Sequence, residues 1–166
     1  MADNFTTLAG ATRRVAGQPT VWKTDAGATY IFVPLDDGAG APQRFYRITV
    51  GAGTVSADTA TQGPAAILAT HFVNWKDKLA RLESSSTEAL YTSCEFDADP
   101  MTATNWGREY TVGNQGVGIS GAAIYDRYLI VAKNDGLYSF DESANPINEF
   151  ADLGDASDQG DLSHNG

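Results

Sequence analysis

Polar and apolar residues alternate along much of this chain with the two-residue period of half-buried strands. Arg44-Phe45-Tyr46-Arg47-Ile48-Thr49-Val50 alternates, and Gly51 and Gly53 close it. Ala89 to Phe96 alternates too, with Leu90, Thr92, Cys94 and Phe96 on one face, until Asp97, Asp99 and Pro100 break it. Ala28 to Val33 is rich in β-branched and aromatic residues and is predicted as a strand. Pro34 and the Asp36-Asp37-Gly38 turn are expected to end it. Arg108 to Val112 is a shorter candidate. Tyr128 to Lys133 is apolar on both faces until Lys133, as in a strand inside a sheet. Asn134-Asp135-Gly136 then signals a tight turn, and Leu137 to Phe140 resumes the pairing as a hairpin. One stretch departs from this period. Leu68, Phe72, Trp75, Leu79 and Leu82 fall on one helical stripe, with Pro64 placed for a first turn. A helix over roughly 65–83 is therefore an alternative, and would make the fold α+β. Residues 1–18 lack periodicity and read as an N-terminal arm, so the β domain is placed at 19–166.

The predicted strands recur. Tyr30, Leu79 and Tyr128 are each 49 residues apart. A bulky aromatic precedes each (Trp22, Trp75, Tyr125), and an aspartate lies between aromatic and strand (Asp25, Asp77, Asp126). A second strand follows each with an apolar-aromatic pair: Phe45-Tyr46, Leu90-Tyr91, Leu137-Tyr138. Units of about 45–50 residues, each aromatic, Asp, strand, turn, strand, match the blade size of a β-propeller. The expected fold is all-β: repeat-built antiparallel sheets in propeller-like blades.

The stretch from Trp75 to Phe140 resembles divergent propeller blades of bacteriophage tail and other virion proteins. The residues that carry the resemblance are Leu90-Tyr91-Thr92-Ser93, Asp99-Pro100, Trp106, Val112-Gly113, Ile119-Ser120-Gly121, and Tyr128 through Tyr138. The resemblance implies a non-enzymatic structural subunit of a phage tail or virion, acting by subunit–subunit contacts. It implies other virion subunits as partners, further copies of the chain among them. It places the protein in the virion, after synthesis in the host cytoplasm without a signal peptide. The second function it implies is a carbohydrate or host-surface-binding module for attachment, with a host glycan as ligand. The sialidase-type box Ser-x-Asp-x-Gly-x-Thr-Trp is absent. Propellers close with at least about four blades, and three units are countable here. The turn-like Ser163-His164-Asn165-Gly166 would lead into another strand. The chain thus reads as the N-terminal part of a longer polypeptide. The rival expectation is a complete small protein with an open or an oligomer-completed sheet.

Charge narrows the partners. The net charge is −10, and the densest basic cluster is the pair Arg13-Arg14, so the basic face of a nucleic-acid binder is missing. An anionic membrane surface is disfavoured for the same reason. The longest apolar runs, such as Tyr128 to Ala132, are too short to span a bilayer. Seven of the acids lie between Asp141 and Gly166, where Lys and Arg are absent. An acidic surface of this kind suits a basic neighbouring subunit.

Candidate chemistry is sparse. Trp106, beside Asn105 and Gly107 in a predicted loop, is the best-placed aromatic for stacking on a sugar, and Trp106 with Asn105 forms the candidate ligand site. Asp155, Asp158 and Asp161, spaced every third residue, are a weak Ca2+ candidate; an EF-hand pattern is absent, and no cofactor is otherwise expected. Gly116 to Gly121 spells GxGxxG, but a turn and a strand are read after Gly121 where a dinucleotide site needs a helix. Asp97 and Asp99 are explained by turn chemistry rather than as a catalytic pair. Cys94 with His71 could form a nucleophile pair, yet Cys94 shares a face with Leu90 and Phe96 and reads as a buried small hydrophobe. The two histidines, His71 and His164, lie in unrelated segments, which disfavours a histidine metal site.

Overall fold

A computed structural model describes residues 14–36, 44–51, 60–75, 77–84 and 89–141. Its described residues are all-β in antiparallel sheets, with no α-helix among them. The strands are β1 (Arg14–Val15), β2 (Thr20–Lys23), β3 (Thr29–Asp36), β4 (Arg44–Thr49), β5 (Ala60–Gln62), β6 (His71–Trp75), β7 (Lys78–Ser84), β8 (Ala89–Glu95), β9 (Tyr110–Thr111), β10 (Ile119–Tyr125), β11 (Tyr128–Lys133) and β12 (Gly136–Phe140). They form three sheets in sequence order: β2-β3-β4-β5, β6-β7-β8-β9 and β10-β11-β12. Strand β1 adds to the first sheet by pairing with the far end of β3, beyond β2.

The sequence repeat coincides with a structural one. Trp22, Trp75 and Tyr125 lie on the first strand of each sheet. Asp25, Asp77 and Asp126 sit in the turn that follows. Tyr30, Leu79 and Tyr128 open the second strand, and the apolar-aromatic pairs occupy the second and third positions of the third. The turn aspartate has a backbone role in the third copy. Asp126 adopts a left-handed φ of 54°, which Asp tolerates better than most residues, and so lets Tyr125 pair with Tyr128 across two residues.

The stripe at 65–83 forms β6 and β7, so the all-β expectation holds and its helical alternative does not. Both faces of β7 are covered, from Leu79 through Leu82, so its buried positions are consecutive and mimic a helical stripe when joined to Phe72 and Trp75. Other expectations change in detail. Pro34 does not end its strand but lies within β3, opposite Phe45. Its carbonyl accepts from the Ala16 amide (2.9 Å). Its nitrogen therefore faces the same side, where the chain leaves β1 for β2 and a ladder donor is not needed. The segment after Gly121 is strand before it is turn: β10 runs to Tyr125, with a bulge between Ile119 and Gly121. Residues 1–13 of the expected arm lie outside the described residues, and Arg14–Val15 are already part of a sheet.

The fold divides into two compact units, the first within 1–81 and 93–107, the second within 82–92 and 108–166. In the first, Trp22, Phe32, Phe45, Phe72, Leu79, Cys94 and Trp106 form the main core. Phe72 holds it together, with ring centroids 5.2 Å from Phe32 and 5.1 Å from Phe45. Val33, Leu35, Tyr46 and Ile48 form a second cluster from the alternate residues of β3 and β4, so both faces of that hairpin are buried. Strand β2 meets β6 through the Thr20 hydroxyl, which donates to the Phe72 carbonyl (2.6 Å), and through Asn74, whose amide donates to the Val21 carbonyl (3.3 Å). In the second unit, the Tyr91 ring lies 5.0 Å from Phe140 and 6.2 Å from Tyr110. Val112, Leu129 and Val131 are fully buried there. Lys133 is buried too; its ammonium donates to the carbonyls of Val112 (2.6 Å) and Asn114 (2.5 Å), tying that loop to β11.

Candidate functional site

The first unit carries a cleft of about 370 Å3 between the β2–β3 turn, the half-buried Tyr30 of β3 and Arg47 of β4, and the loop after β8. The turn is fixed locally. Thr24 Oγ1 accepts from the Ala28 amide (3.1 Å), and Gly27, at φ 83°, donates to the Thr24 carbonyl (2.9 Å). That arrangement sets Asp25 at the rim. Tyr30 and Arg47 form the floor. Phe32 pairs with Arg47, so Tyr30, two residues earlier on β3, is the diagonal neighbour of Arg47 on the same face. The guanidinium lies over the Tyr30 ring, 4.7 Å from its centroid, and its Nη1 is 3.3 Å from Asp99 Oδ1. Arg47 Nε is buried and has no hydrogen-bond partner.

The opposite wall is the Phe96–Pro100 loop. Its backbone turns through bonds from Ala98 N to the Glu95 carbonyl and from Thr102 N to the Asp99 carbonyl, both 3.1 Å. Asp99 Oδ1 also accepts from the Met101 amide (3.0 Å). Asp99 is thus a turn residue, as its sequence context predicts. Asp97 is exposed at the mouth. Phe96 presents its ring edge-to-face against Trp22, at 5.8 Å and 77°.

The sequence candidates Trp106 and Asn105 stand behind this loop rather than in the cleft. Trp106 is only 8% exposed and belongs to the core, so it is not an open loop aromatic. It bridges Cys94 through its backbone, and the Arg81 guanidinium lies over its ring at 5.2 Å. Its indole N–H donates to the Pro100 carbonyl (3.0 Å), and the Asn105 amide donates to the Asp99 carbonyl (3.0 Å). Sequence reading therefore found the side chains that hold the loop and missed those that face the cleft. The signal available for the latter was the turn aspartate Asp25 followed by Tyr30, both already marked as repeat positions.

Cys94 is fully buried, and its Sγ lies against the carbonyls of Glu95 (3.7 Å) and Ala98 (3.8 Å). Burial, with the charges of Asp99, Glu95 and Asp97, pushes the thiol up to about 12, so a thiolate is not formed near neutral pH. Burial also lowers the His71 pKa. In the GxGxxG segment, Gly121 lies within β10 and no helix follows it. Asp155, Asp158 and Asp161 lie outside the described residues. Among the described residues no group of three or more His, Cys, Asp or Glu side chains is placed to hold a metal ion. The site is thus a small mixed cleft: aromatic walls, one guanidinium and three carboxylates. No protein-family model matches the chain, and no curated protein matches it.

Proposed function

We propose that this protein is a non-enzymatic structural subunit of a phage tail or other virion assembly, built through contacts between copies of the chain and with other virion subunits. The observation that carries the reading is β10. It lies at the edge of its sheet and, among the described residues, pairs only with β11. Its seven residues, Ile-Ser-Gly-Ala-Ala-Ile-Tyr, include no charge and no proline. Proteins that stay monomeric commonly protect such an edge with lysine, proline, a bulge or a covering loop, and the bulge of β10 lies at Ile119–Gly121, away from Ile124 and Tyr125. Here Ile124 is 37% exposed and Tyr125 is 69% exposed. On a chain of net charge −10, an uncharged edge is also where a second copy meets the least repulsion. Antiparallel pairing of β10 with β10 of another copy, along Ala122–Tyr125, gives the outward backbone groups there partners and covers both side chains. The phage and virion setting rests on the resemblance of the repeat.

Sedimentation velocity from micromolar to millimolar concentration tests the reading. The wild-type protein is expected to associate, and Tyr125→Lys, a change at an exposed side chain, is expected to stay monomeric. A wild-type protein that is monomeric throughout, or a lysine variant that associates as readily, would overturn it.

A further inference from the structure

We propose that the cleft between the β2–β3 turn and the Phe96–Pro100 loop is a binding site for a neutral saccharide. This goes beyond the assembly reading and does not depend on it. The cleft's volume, about 370 Å3, lies within the roughly 300–1,000 Å3 of small-ligand sites. Its polar groups are of both kinds. Asp25 and Asp97 are exposed acceptors at the mouth, and the Arg47 guanidinium is a donor in the floor. A hydroxyl group donates and accepts at once, so a ring bearing several hydroxyls matches such an alternation. Arg47 is held by Asp99 and by the Tyr30 face. Its guanidinium is therefore positioned before a ligand arrives.

Charge and shape define the ligand class. Three carboxylates against one guanidinium leave the cleft with a formal charge of −2, which repels phosphates, sulfates and acidic sugars. The carboxylates do not converge into a metal site. Tyr30 and Phe96 give the cleft apolar ring surface, which suits the C–H face of a sugar better than a freely hydrated small ion. The Trp106 and Asn105 hydrogen bonds fix the loop wall before any ligand arrives, which lowers the ordering cost of binding.

The test is binding of the full-length protein to an array of neutral hexose and N-acetylhexosamine oligosaccharides. Sialylated and sulfated glycans and polyamines serve as comparison probes. Binding is then measured by calorimetry for the wild type, Asp97→Asn and Tyr30→Leu. Asp97 is exposed, so its variant keeps the fold and reads the contact alone. Neutral oligosaccharides are expected to bind in the micromolar to millimolar range, with a loss of about tenfold in each variant, as for one hydrogen bond or one ring contact. Sedimentation of the same variants is expected to match the wild type, which separates failure here from failure of the assembly reading. No binding by neutral glycans at millimolar concentration would overturn the proposal. So would preference for anionic glycans or polyamines, or affinity unchanged in both variants.

Discussion

Trp22 and Tyr125 hold the same place in the repeat, on the first strand of the first and third sheets, yet they have opposite fates. Trp22 is 1% exposed and packs against Phe96 in the main core of its unit; Tyr125 is 69% exposed. The difference does not lie in the strand itself, because both strands are paired on one side in an antiparallel hairpin. It lies in what covers the aromatic. The loop after β8 and the strand β6 both close on β2, whereas no described residue performs either task for the end of β10. A repeat position therefore places an aromatic that one sheet covers and another, among the described residues, leaves exposed.

The largest test of that comparison is truncation of each aromatic. Trp22→Ala is expected to cost about 3–5 kcal/mol in urea unfolding, as for other buried aromatics. Tyr125→Ala in the monomer is expected to stay within about 0.5 kcal/mol of the wild type. Equal costs would break the comparison.

A second test concerns the glycines that follow the fourth strands. Gly63, after β5, lies against the Phe45 ring; Gly113, after β9, lies against the Tyr138 ring and has φ 57°. A methyl group at either position would run into the ring. At Gly113 it would also stand on left-handed backbone. Gly113→Ala is expected to cost about 2–4 kcal/mol and Gly63→Ala about 1–3 kcal/mol, both read from thermal unfolding. The reverse order would mean that the Tyr138 ring moves aside more readily than the Phe45 ring.

Alkaline pH gives a smaller, signed effect confined to the first unit. The Cys94 thiol keeps its proton in the folded protein up to about 12, while the unfolded thiol ionises near 9.0. Between these values the unfolded state binds fewer protons, so stability falls as pH rises. Unfolding curves of the wild type and Cys94→Ala should therefore diverge above pH 9, with the wild type losing more. Thiol alkylation of the native protein at pH 8 should be slow and should track opening of that core.

Much of this was legible in the sequence, because strands of period two and turn residues are local signals. The Tyr128–Phe140 hairpin and the three-copy repeat follow from residues close in sequence, and the folded chain keeps them. Three features were not legible, for reasons that lie in tertiary structure. β7 is buried on both faces, which erases the alternation that marks a half-buried strand and leaves a helix as a rival to the strand that the repeat places at Leu79. Pro34 is tolerated only because β1 and β2 are separate strands along the same edge of β3. Trp106 reads as an exposed loop aromatic until Arg81 from β7 and Phe72 from β6 are seen to cover it. The cleft was hidden for a related reason: Asp25, Arg47 and Asp97 are far apart along the chain, and only the pairing of β3 with β4 and the folding of the 96–100 loop gather them.

The end of β10, which no described residue covers, is proposed as the place where another subunit docks. Amide hydrogen exchange, followed by mass spectrometry at rising protein concentration, reads that contact at the strand itself. Protection of the Ala122–Tyr125 amides is expected to grow with concentration while the β2 amides stay unchanged. Exchange in β10 that is the same at every concentration, or protection that grows elsewhere in its place, would contradict it.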